Sequence, residues 1–139
     1  MTIAELVHDG RIELVPPDPE AARTILLEAQ RHLESAETVA ASDPNGAYAL
    51  LYDAARKSVI AHMLAKGYRA QARSGAHQSV VLYAEEALGD GDVSQLDRMR
   101  RNRNRSEYDV KVFGAAEVAA DLGYARGVVA AVEAAMEVD

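Results

Sequence analysis

The run SDPNGAYALLYDAARKSVIAHMLAKG, residues 42–67, decides the fold. Ser42-Asp43-Pro44 is a helix start: the aspartate is placed to accept orphan amide hydrogens, and proline stands first, where its missing N–H costs nothing. Gly67 closes the segment in the position that helices favour for left-handed termination. Between these signals Ala47, Tyr48, Leu50, Leu51, Ala54, Ala55, Ala61 and Ala65 make one apolar side. Val59, Ile60, Met63 and Leu64 spread apolar character nearly all round at the end. A helix apolar on every side is a buried one, so this is the expected central helix of a bundle.

Upstream, Asp18-Pro19 repeats the same start signal. Ala22, Ile25, Leu26, Ala29, Leu33, Ala36 and Ala40 then recur at three and four, with Arg23, Glu28, Arg31, Glu34 and Glu37 mostly opposite, which predicts a helix of roughly six turns. Residues 1–17 form an N-terminal arm: a helical turn plus an extended piece, or a small hairpin, closed by Pro16-Pro17. Downstream, Gly67-Tyr68-Arg69 and Ser74-Gly75 bracket a predicted loop. A helix over 77–88 stops at Gly89-Asp90-Gly91, and the next opens at Asp92 with Gln95 in a capping-box-like pair. A last helix runs from Ala115, with small residues every fourth position: Ala115, Ala119, Gly123, Gly127, Ala131 and Ala135. Such a row lets another helix approach closely, either the central helix, which is the reading preferred here, or a second subunit. The expected architecture is all-α, an up-and-down bundle of about five helices over 18–139 with a short N-terminal arm.

Composition narrows function. The chain has 139 residues, 22 acidic against 15 basic side chains, a formal charge of −7 and no cysteine. Non-specific coating of nucleic acid is therefore disfavoured, and a disulfide framework is excluded. No basic start followed by an apolar run marks the N-terminus, and no apolar run reaches the roughly 20 residues of a membrane span. A soluble cytoplasmic protein with no membrane partner is expected. His8, His32, His62 and His77 include no pair at i, i+3 or i, i+4, so no metal site or cofactor is expected. His62 is expected in the core, and His77 at the surface or its boundary.

Against this acidic background, five arginines fall within eight residues: Arg98, Arg100, Arg101, Arg103 and Arg105. On a helix Arg98, Arg101 and Arg105 share one stripe, and Arg100 and Arg103 with Asn104 a neighbouring one. Asp97 lies four before Arg101 and Glu107 four after Arg103, too few carboxylates to neutralise the cluster. Either the box is a solvated or ion-paired face, or it is a surface for phosphate.

The order of elements, with Tyr48-Ala49-Leu50-Leu51-Tyr52-Asp53-Ala54-Ala55-Arg56-Lys57, Gly67-Tyr68-Arg69, Gly75-Ala76-His77 and the Arg101-to-Tyr108 box before an alanine-rich helix, resembles the HEPN superfamily over about residues 19–137. The resemblance implies a helical bundle that dimerises, and often metal-independent ribonuclease activity in toxin, antiphage or RNA-processing systems. Its signature is arginine, a polar residue, then histidine after four to six positions. Arg103-Asn104 matches the first half; Tyr108, Asp109 or Val110 stands where the histidine would be. The branch with an Asn-Arg-Ser-Glu-Tyr type box fits better than the toxin branch. The resemblance thus implies a homodimer that binds RNA or a nucleotide phosphate through Arg98, Arg101, Arg103 and Arg105 as an accessory or regulatory module, with a nucleotidyltransferase or antitoxin as a further partner. The alternatives are an endoribonuclease using Arg103, Asn104 and either Tyr108 or Glu107 in the histidine's role, and a purely structural box.

Overall fold

The computed structural model describes residues 1–89 and 91–138, so Asp90 of the predicted Gly89-Asp90-Gly91 stop lies outside the described residues. Six α-helices are described: α1 (Ile3–His8), α2 (Pro19–Val39), α3 (Pro44–Lys66), α4 (Ala76–Leu88), α5 (Leu96–Tyr108) and α6 (Ala115–Val138). The two Asp-Pro starts behave as expected: the Asp18 carboxylate accepts from Ala21 N at 3.0 Å, and that of Asp43 from Gly46 N at 3.0 Å. Gly67 terminates α3 at φ 92°.

Helix α3 is the centre. Tyr48, Leu51, Tyr52, Ala55, Val59 and Met63 are buried along one side and Ala47, Ala54 and Ala61 on the adjoining one, and α2, α4, α5 and α6 all pack on it. His62 lies in the core as expected, its Nδ1 2.9 Å from the Tyr83 hydroxyl.

The arm is more than an appendage. After α1, the strand β1 (Ile12–Leu14) pairs antiparallel with β2 (Tyr68–Ala70), so the expected loop after Gly67 is in part a strand. Leu6 and Ile12 are the cause: at 0 % and 1 % exposed they belong to the main core, and their burial pulls the arm onto the bundle. Val15 N donates to Gly67 O and Asp18 N to Leu64 O, both at 2.9 Å, which fastens the arm to the end of α3.

Two further expectations shift. The predicted start at Asp92 is a 3₁₀ turn (Gly91–Gln95), and α5 begins only at Leu96, because Val93, Leu96 and Met99 are drawn into the core. The first half of the small-residue row of α6 does not face the central helix: Ala115, Ala119 and Gly123 are exposed, Gly127, Ala131 and Ala135 are half-buried, and α6 buries Val118, Ala125, Val128, Val129 and Val132 instead. Of the two glycines in this row, Gly127 is the one whose missing side chain is used within the chain, since a Cβ there would strike the Asp92 carboxylate.

Candidate nucleic-acid interface

Helix α5 is almost entirely polar, and only Leu96 and Met99 anchor it in the core. Its position is fixed by polar contacts. The carboxylate of Asp121 on α6, 2 % exposed, accepts from both ends of the Arg98 guanidinium at 2.6 and 3.1 Å and from the Tyr48 hydroxyl at 2.7 Å. Asn102 Nδ2 donates to the same hydroxyl at 3.4 Å. Burial first, and then the Asp121 hydrogen bond, push the Tyr48 phenol up, so it stays a donor. Beyond α5, Asn45 accepts from Phe113 N at 3.0 Å and donates to Lys111 O at 2.8 Å, and the Phe113 ring stacks on Tyr48 at 3.8 Å between centroids.

These contacts sort the arginine box by role. Arg98 is committed to Asp121. Asp97 is shared by Arg100 at 2.9 Å and Arg101 at 3.5 Å, and Arg101 and Arg105 are exposed. Arg103 reaches Glu107 at 3.0 Å. Asn104 is partly buried beside them, whereas Tyr108 is 82 % exposed at the helix end.

The stripe holding Arg100 and Arg103 faces groups from two other helices. From α3 come Tyr52, Asp53 and Arg56, with Arg56 3.4 Å from Asp53; from the first turn of α4 comes His77, its Nδ1 3.5 Å from the Tyr52 hydroxyl. The fields at Tyr52 and His77 come from the same groups. Burial pushes the Tyr52 phenol up to about 12 against the opposing pull of Arg56, Arg100 and Arg103. Burial likewise lowers the His77 imidazole, and Arg56, Arg103 and Arg100 lower it further while Asp53 opposes them. His77 is therefore neutral at pH 7. The Nε atoms of Arg56 and Arg103 are buried and have no hydrogen-bond partner. Unmade hydrogen bonds on buried charged groups are costly, and this cluster of side chains between α3, α4 and α5 carries two.

Among the described residues no group of three or more histidine, cysteine or acidic side chains could hold a metal, and no helix is long and apolar enough to cross a membrane. Comparison with protein-family models, with curated proteins and with solved structures yields no match.

Sequence reasoning grouped the arginines by helical stripe but missed Tyr52, Arg56 and His77. The available signal was Tyr52 and Arg56 at i, i+4, which sets an arginine beside the apolar side of the central helix. His77 carried no such signal, since its approach to α5 is set by how α4 packs.

Proposed function

We propose that the recess between α3, α4 and α5 binds the phosphate backbone of single-stranded RNA, in the manner of a HEPN-like accessory module. The observation that carries this reading is the convergence of Arg56, Arg100 and Arg103 on His77 with the Arg56 and Arg103 Nε–H groups unbonded. Each guanidinium faces one carboxylate, Arg56 that of Asp53, Arg100 that of Asp97 and Arg103 that of Glu107, but the Nε–H groups of Arg56 and Arg103 are left over, and phosphate oxygens match such a fork of donors. Arg101 and Arg105, exposed on the adjoining stripe, extend the positive surface. The exposed apolar side chains Tyr108, Val110 and Val112 beside the box support a second copy as partner, in line with the homodimer that the HEPN resemblance implies.

Affinity for an oligouridylate should fall steeply as salt rises, and Arg103→Ala and Arg56→Ala should each weaken binding about tenfold at low salt, measured by fluorescence anisotropy. Salt-independent binding, or variants that bind like wild type, would refute the reading.

A second reading, metal-independent cleavage, is favoured by one observation: the neutral His77 imidazole within the recess. It makes His77, rather than Tyr108 or Glu107, the proton acceptor. With Nδ1–H directed at the Tyr52 oxygen, Nε2 takes the proton of the ribose 2′-hydroxyl. The 2′-oxygen bonds to phosphorus, the phosphorus–5′-oxygen bond breaks, and the leaving oxygen takes a proton from water. Incubation with a mixed-sequence RNA in EDTA should then yield cyclic-phosphate ends, at least a hundredfold slower in His77→Gln. Intact RNA leaves the binding reading standing alone.

A further inference from the structure

Three guanidiniums, each with one carboxylate partner, and one uncharged imidazole meet between α3, α4 and α5, an arrangement with a direct consequence for ligand binding. His77 is presented by the first turn of α4 and touches Tyr52 of α3 at 3.5 Å between Nδ1 and the hydroxyl, with the two rings 6.0 Å apart. Its charged surroundings are Arg56 and Asp53 on α3 and Arg100 and Arg103 on α5. Without an added anion, a proton on His77 would meet the fields of three guanidiniums that Asp53 only partly offsets, in a partly buried place. A phosphodiester seated among the guanidiniums weakens that field and accepts a hydrogen bond from a protonated ring.

We propose that RNA binding in this recess is coupled to protonation of His77: the backbone phosphate draws one proton onto the imidazole, so that three guanidiniums and an imidazolium hold it, and binding strengthens as pH falls. This rests on the RNA-binding reading and adds to it a proton as co-ligand. The sign follows from linkage. The free protein's imidazole titrates low and the complex's titrates higher, so affinity rises as pH falls through the complex's value and levels off below the free protein's. The phosphodiester cannot supply this dependence, because it remains a monoanion throughout; nor can uracil, which does not ionise in that range.

The test uses the full chain and an oligouridylate without a terminal phosphate, at constant ionic strength from pH 5.5 to 8. Wild-type affinity should rise about tenfold toward the acid end, the equivalent of one pKa unit between free and bound imidazole. His77→Gln should bind with the affinity of the wild type at pH 8 and show no such rise. NMR of the wild-type His77 ring provides a measurement that needs no folded variant: its titration midpoint should move up by about one unit on saturation with the oligouridylate. In Arg103→Ala the free protein's midpoint should also move up, since a depressing charge has gone. Binding that is flat with pH, or a pH slope that survives in His77→Gln, overturns the coupling alone. Absence of binding at every pH in low salt overturns the RNA-binding reading and the coupling with it.

Discussion

Asp121→Ala should lower stability by about 3 kcal/mol, the cost of removing one partner from a buried pair reduced for the partial exposure of the other. Asp121 is the common acceptor for Arg98 and Tyr48, and its side chain is 3 % exposed against 38 % for that of Arg98. Its loss leaves a half-buried guanidinium and a buried phenol without their principal acceptor. In a domain of this size the melting temperature should fall by roughly 10 °C, measured by circular dichroism. The double variant Arg98→Ala/Asp121→Ala should lose clearly less than the sum of the two single changes, because the groups act on one another. Strict additivity would show that the pair is independent. Arg98→Ala should leave oligouridylate affinity within about twofold, in contrast to Arg103→Ala, because its charge already faces Asp121.

The second large effect is expected at Gly67, where Gly67→Val should cost about 3 kcal/mol and Gly67→Ala about 2 kcal/mol in urea unfolding. The residue has φ 92°, a conformation that side-chain-bearing residues rarely adopt, and a Cβ there would lie 2.8 Å from the Val15 carbonyl oxygen and 3.2 Å from the Pro17 ring. A backbone oxygen cannot swing aside as a long side chain can, least of all here, since Val15 N is itself bonded to Gly67 O. Gly75 is the comparison. At φ 88° with nothing within 4 Å of its would-be Cβ, Gly75→Ala should cost only the conformational part, about 1 kcal/mol. Equal losses at the two glycines would mean that the arm does not press on the end of α3.

Much of the fold was legible because it is written locally. Asp18-Pro19, Asp43-Pro44 and Gly67 act on the amides and carbonyls of their own turns, and the all-round apolar character of α3 required burial whatever its neighbours. The β1–β2 pairing was not legible: the alternation around Ile12–Leu14 marks an extended piece, but Tyr68–Ala70 has no such pattern, and the two meet only because Leu6 and Ile12 are buried. The small-residue row of α6 misled for the opposite reason. Periodicity identifies a smooth face but not the surface that covers it, and Val118, Val128 and Val132 made the stronger claim on the core. Within the site, the stripe of Arg100 and Arg103 could be read from helical spacing. His77 and Arg56 could not be joined to it, since they approach only through the packing of three helices.

The Asp121 contact has a consequence for protein synthesis. Tyr48, Arg98 and their shared acceptor span 73 residues of chain, and α5, with few apolar anchors, depends on that acceptor to hold Arg100 and Arg103 against His77. On the ribosome the first four helices can emerge and pack while α6 is still unmade. In a growing chain the arginines of α5 are therefore held in place only after α6 has been made, so the arrangement that we propose as an RNA site forms later than the helix that carries it.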